Sequence, residues 1–337
     1  MSPQHLGPRL FSAVTVIIVA AAIGLNAPRQ SHAAVDFVFN FTDAAGVGFN
    51  AAGQTGIDRQ AGLNQAAGIL ESLFANYTAT ITIDVNGSVT NDTTLASASS
   101  NFNLAFPGNG FGSRGDVMIK ILGGADPSPN ADGNVNWNFE DFTWEPLSNF
   151  QSGELDLINT ALHELTHAVG FASDIAQNGN SGYGDAPGTP SAWSPFDQWV
   201  ADSTGSLIDG TFALDGARWN VASIGGTGPI NGLLFNGPNA MVANGGTPVS
   251  LFSPTTWNPG SSGSHLDTDF YTGANEQLMN HASSISEGLD IRVLSSIERG
   301  ILRDIGYVQL VVPEPASAIL ILAACGGWVA ARRRRTP

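Results

Sequence analysis

Two histidines four residues apart, with a glutamate beside the first, constrain this chain more than any other feature. His163-Glu164-Leu165-Thr166-His167 sits in an apolar stretch that includes Leu157, Ile158, Ala161, Leu162, Ala168 and Val169. Apolar residues at this spacing predict a helix over about 153–169. On a helix, positions i and i+4 share a face, so both imidazoles can point at one ion. The chain has six histidines, and His5 and His32 lie in its first 33 residues. Of the other four (His163, His167, His265 and His281) two fall within this one pentapeptide.

The pattern H-E-x-x-H on a helix is the arrangement used by zinc peptidases. Zinc lowers the pKa of a bound water toward ~7, and an adjacent glutamate can take the proton as the water attacks a carbonyl. Glu164 is therefore the candidate general base, and His163 and His167 are candidate Zn2+ ligands. A third ligand is needed. No glutamate lies between Glu164 and Glu276, so a nearby downstream glutamate is excluded. Asp174 and His265 remain as candidates, the latter within Ser261-Ser262-Gly263-Ser264-His265-Leu266-Asp267.

The motif continues to Gly170, giving H-E-x-x-H-x-x-G, which resembles the metzincin metallopeptidases. In most of these the third ligand comes three residues after the glycine, a position held here by Ser173. The later segments, His265, then Leu278-Met279-Asn280, then a helix ending Leu302-Arg303-Asp304-Ile305-Gly306-Tyr307, resemble the leishmanolysin-type metzincins. The likeness covers about 155–171 and 265–307. It implies His163, His167 and His265 as ligands, Glu164 as base, Met279 as the Met-turn beneath the metal, and His281 as a candidate oxyanion stabiliser. It also implies an α+β, two-lobed fold. A mixed sheet and the active-site helix would form the upper lobe (34–173). An insert (174–250) would lead to an irregular lower lobe (251–308) with a C-terminal helix. By the same likeness, a strand shortly before the zinc helix, here 134–139, would be the edge that pairs with extended substrate.

The two ends read as addresses. Arg9 followed by the apolar run Phe11 to Leu25 and by Ser31-His32-Ala33 predicts a signal peptide over 1–33. At the other end, Val312-Pro313-Glu314-Pro315 precedes an apolar stretch, Ala316 to Ala331, and then Arg332 to Arg335. Such a stretch barely crosses a hydrocarbon core of ~30 Å, and the arginines place its end in the cytoplasm. Residues 309–337 resemble a PEP-CTERM sorting tail of Gram-negative bacteria. The resemblance implies an exosortase-type partner, initial anchoring of a transmembrane helix in the inner membrane, and delivery to the cell surface or extracellular matrix.

Charge and cysteine narrow the function classes. Setting aside Arg9, Arg29, the four terminal arginines and Glu314, the body has seven basic residues against 28 acidic ones. That surface repels phosphate backbones, so nucleic acid is excluded as a partner and a protein or peptide substrate is expected. The single cysteine, Cys325, lies in the tail, so the body has neither a disulfide nor a cysteine nucleophile. Acidic groups at Asp126, Asp132, Glu140 and Asp141, and at Asp174 and Asp185, make calcium a weaker second cofactor expectation, without EF-hand spacing.

For the rest, alternation predicts strands over 36–41, 79–85, 117–122 and 134–139. Helical spacing predicts helices over 60–77 and 291–305, the latter followed by Gly306. Within 174–246, rich in Gly, Asn, Ser and Pro, only a helical turn near 195–202 and short strands near 233–235 and 248–252 are expected. The reading that results is an exported zinc metalloendopeptidase. The alternatives are a catalytically inactive matrix- or surface-binding protein on the same scaffold and, more remotely, a metal-dependent hydrolase of non-peptide bonds.

Overall fold

The computed structural model describes residues 35–87, 93–103, 108–149, 151, 153–183, 186–282 and 291–311. The signal-peptide reading, nearly all of the sorting tail and Asp185 lie outside the described residues. Among those described, no helix is long and apolar enough to cross a membrane.

In chain order the first half contains β1 (Val35–Phe41), α1 (Gln54–Leu73), β2 (Ala79–Asn86), β3 (Ala96–Ser100), α2 (Asp116–Gly123), β4 (Gly133–Trp137), β5 (Trp144–Glu145), β6 (Leu155–Asp156) and α3 (Leu157–Ala168). The second half contains β7 (Val200–Asp202), β8 (Gly205–Ser206), α4 (Gly216–Ala222), β9 (Leu234–Phe235), α5 (Pro238–Ala243), β10 (Val249–Ser250) and α6 (Ser296–Asp304). The chain is thus α+β.

The main sheet has the order β1-β2-β4-β3. β1 and β2 are parallel from Val35↔Ala79 to Phe41↔Val85, and α1 makes the crossover that parallel pairing requires. Their alternation puts Phe37, Ile81, Ile83 and Val85 into the core, where they meet Leu63, Ala66 and Leu70 of α1 and Ile158, Leu162 and Leu165 of α3. β4 runs parallel to β2 on one side and antiparallel to β3 on the other. The edge of this sheet beside β4 is therefore β3, and β4, which overlaps the stretch 134–139, is an inner strand. The sequence Ala-Ser-Ala-Ser-Ser carries no large apolar residue, so β3 has none of the hydrophobic alternation that betrays a strand.

Residues 117–122 form part of helix α2 rather than a strand. A short apolar run fits either period, and here the end groups decide between them. Ser100 Oγ accepts the N–H of Val117 (3.1 Å), and Gly124 adopts a left-handed C-cap at φ +67°. Val117, Met118 and Ile121 then face the core together, while the Lys120 ammonium reaches Asp132 (2.9 Å). The segment 174–250 is more regular than expected. Its strands form a second, antiparallel sheet of order β10-β9-β7-β8, with Trp193, Phe196, Val200, Trp219 and Phe235 buried. The last helix begins only at Ser296, where Ser295 and Glu298 form a capping box.

Helices α1 and α3 approach closely at Gly62. A Cβ there would press on the Pro146 carbonyl oxygen and lie 2.8 Å from Leu157 Cδ2. In a free helix, alanine is favoured over glycine by ~1 kcal/mol. At this contact the sign reverses: Gly62→Ala should lower stability by about 1–3 kcal/mol. Chemical denaturation measures it, and an unchanged or raised midpoint would show that the two helices do not meet there.

Candidate metal centre

Helix α3 starts where Asp156 caps it, accepting the N–H of Asn159 at 3.0 Å. The same carboxylate forms a bidentate pair with Arg292 (Nε 2.7 Å, Nη2 2.9 Å), and Asn159 Nδ2 donates to the Ile291 carbonyl (2.6 Å). The first turn of the helix is thus clamped to the segment that precedes α6. At the other end, Gly170 turns at φ +100°, a conformation that suits glycine. The chain folds back there, and the Phe171 carbonyl comes to 2.6 Å from His167 Nδ1. Tyr307, fully buried and edge-on to Phe74, donates its hydroxyl to the Val169 carbonyl (2.8 Å) and holds this end.

His163 and His167 face the same way, as the i, i+4 spacing requires, and His265 meets them. The three Nε2 atoms lie 3.1, 3.1 and 3.0 Å apart in pairs. Each Nδ1 contacts a main-chain carbonyl: Leu278 for His163 (2.8 Å), Phe171 for His167 (2.6 Å) and Ser261 for His265 (3.0 Å). A carbonyl can only accept, so each Nδ1 carries the proton and each Nε2 presents a lone pair. Burial keeps the rings neutral. It pushes His163 down to about 4 and His167 down to about 3, and it lowers His265 well below the ordinary histidine value, with the neighbouring imidazoles adding to the effect. Three lone pairs aimed at one point repel one another unless a cation lies between them. With the opposite ring nitrogens oriented by carbonyls, the donor set fits a metal ion. Among the described residues this is the one group of three or more His, Cys, Asp or Glu residues whose donor atoms converge.

His265 is delivered from the far side of the insert by contacts that spacing alone does not reveal. Ser173 donates its N–H to Ser264 Oγ (3.1 Å), and that hydroxyl donates back to the Ser173 carbonyl (3.2 Å). Position 173, three residues after the glycine, therefore holds the neighbour of the third histidine instead of a ligand. Asp174 is not brought to the cluster; its Oδ2 accepts the Tyr183 hydroxyl (2.7 Å).

Met279 is fully buried in the turn whose preceding carbonyl orients His163. Its N–H donates to Glu298 Oε1 (2.7 Å), and its carbonyl accepts the N–H of Leu266, next to His265 (2.8 Å). Glu298 was not singled out in the sequence, although its capping-box spacing from Ser295 is legible. Glu164 is buried beside the two helical ligands, and the Ala98 N–H of edge strand β3 donates to its carboxylate. Burial raises its pKa to about 8, against the lowering effect of that hydrogen bond.

His281 is half-buried and stacks on Phe252, with centroids 3.6 Å apart. Its backbone N–H donates to Thr268 Oγ1 (3.0 Å), and the same hydroxyl is hydrogen-bonded to His281 Nδ1 (2.7 Å). It lies outside the trio of converging nitrogens. Of the acidic groups considered for calcium, Asp126 and Asp132 pair with Lys120, and Asp141 accepts from Asn138. Asn138 Oδ1 also accepts the N–H groups of Glu140 and Asp141.

No family model matches the chain, and no curated protein matches it.

The Asp156–Arg292 pair is expected to be structural. Asp156 has a fully enclosed side chain, so Arg292→Ala strands a buried charge and should cost about 3–5 kcal/mol of unfolding free energy. Denaturant unfolding measures it, and a loss below about 1 kcal/mol would contradict the clamp.

Proposed function

We propose that the protein is an exported zinc metalloendopeptidase of metzincin type, with His163, His167 and His265 as ligands and Glu164 as general base. The observation that carries this reading is the convergence of three oriented, neutral imidazoles next to a buried glutamate. Three nitrogen ligands and no thiolate suit zinc, and this ligand count is that of a catalytic site that keeps one position open. A zinc ion held there supplies Lewis acidity toward a carbonyl oxygen and toward water.

The chain's own residues do the rest. The Glu164 carboxylate, steadied by the Ala98 N–H, takes a proton from the attacking water and passes it to the leaving amine nitrogen. β3 offers an open sheet edge beside this carboxylate, and an extended peptide can add to it through main-chain hydrogen bonds. That edge favours a peptide substrate over a non-peptide one. His281 is a candidate donor to the developing oxyanion. The signal-peptide pattern and the sorting tail support export, with an exosortase-type enzyme acting on the tail and only transient membrane contact.

The test measures zinc content and casein hydrolysis on the same samples. The wild type should hold about one zinc per chain. His265→Ala should lose most of that zinc. Glu164→Ala should keep its zinc and lose hydrolysis by about 100-fold or more. Zinc-loaded Glu164→Ala with wild-type activity would overturn the mechanism. Well-folded wild type without zinc would favour the matrix-binding alternative.

A further inference from the structure

A cavity of about 100 Å³ lies beside His167, between β3 and the segment that follows α3. Ala98, Phe102, Met118 and Pro195 give it largely apolar walls. This is room for one side chain. Asp174 also lines it, and the carboxylate there is incompletely satisfied: Oδ2 accepts the Tyr183 hydroxyl, while Oδ1 has no hydrogen-bond partner among the described residues. Oδ1 is also not among the enclosed polar atoms that lack a partner, so it keeps access to solvent.

A second carboxylate stands behind the first. Asp197 is fully buried and accepts hydrogen bonds from Ser173 Oγ (2.7 Å), from Ser194 Oγ (2.8 Å), and from the N–H groups of Asp174 and Ser194. Asp197 is satisfied and Asp174 is not. Among the described residues neither carboxylate has an ion-pair partner. Burial raises both carboxyls, and the neighbouring Asp174 adds to the effect on Asp197, which is pushed up to about 7. A half-buried carboxylate with no ion-pair partner at the edge of an apolar cavity is best matched by a cation on an apolar stem.

We propose that this cavity is a substrate subsite beside the scissile bond that takes a lysine or arginine side chain. Its methylenes lie against Ala98, Phe102 and Met118, and its cation pairs with Asp174. This inference rests on the peptidase reading and adds a substrate class to it. Arg114 lines the same cavity but is exposed. Asp174 is half-buried, so water and salt screen the exposed Arg114 more than they screen Asp174, and Asp174 dominates the selection. The strongly acidic body draws basic peptides in the same direction.

The test is a set of peptides identical except at the residues flanking the scissile bond, cleaved by the purified protein and mapped by mass spectrometry. Peptides with Lys or Arg at one flanking position should exceed those with Leu or Glu in kcat/KM by about tenfold or more. Asp174→Asn, which keeps an acceptor for Tyr183, should shrink the Lys-to-Leu ratio to about two while zinc content holds. A preference for Leu, or a ratio unchanged in Asp174→Asn, would overturn the subsite. A preference for Glu would overturn it too and assign the selection to Arg114. A second readout does not depend on catalysis: calorimetry should detect butylammonium binding to the wild type and none to Asp174→Asn. Butylammonium binding without any peptide cleavage would fault the peptidase reading alone. Cleavage without a basic preference would fault the subsite alone.

Discussion

Everything around the candidate centre depends on keeping three neutral imidazoles with their lone pairs turned inward. Left to itself this arrangement is unfavourable, since three partial negative charges meet at about 3 Å in a water-poor interior. The fold imposes it by giving each ring's other nitrogen a carbonyl to bind. Each carbonyl belongs to a different stretch of chain: the Met279 turn, the Gly170 turn and the loop before His265. Orientation of the ligands is thereby tied to the backbone course of most of the second half of the molecule.

Four cross-links carry that tie. Arg292 on Asp156 anchors the start of α3, and Tyr307 on the Val169 carbonyl anchors its end. The Ser173–Ser264 exchange brings the insert back to the helix, and Glu298 holds the backbone of Met279. The body has no cysteine, so these hydrogen bonds and one ion pair make the cross-links without a disulfide. Glu298 does two jobs at once, because the carboxylate that caps α6 also pins the turn under His163.

The parts legible in the sequence were those whose signal is local and periodic. The i, i+4 histidines announce their own helix, and β1 and β2 alternate cleanly. The run 117–122 misleads because its five apolar residues around Lys120 satisfy both periods, and only its capping contacts reveal a helix. β3 escapes because small residues leave no hydrophobic trace; in the second sheet β9 and β10 fall within the short apolar stretches expected at 233–235 and 248–252, while β7 and β8 are too short to show a period. Within the site, His163, Glu164 and His167 stand out from spacing alone. His265, 98 residues beyond His167, stood in the sequence beside Asp174 as one of two candidates, and only the resemblance to a family with a similar interruption favoured it. Ser264, Glu298 and the Ala98 N–H stayed invisible because their roles arise from backbone geometry across distant segments.

The central claim is that one metal ion is bound by these three histidines. X-ray absorption at the zinc edge of the purified protein tests it most directly. The account predicts scattering from three imidazoles per zinc, falling to two in His265→Ala. A wild-type spectrum with two imidazoles and a carboxylate, unchanged in His265→Ala, would contradict it.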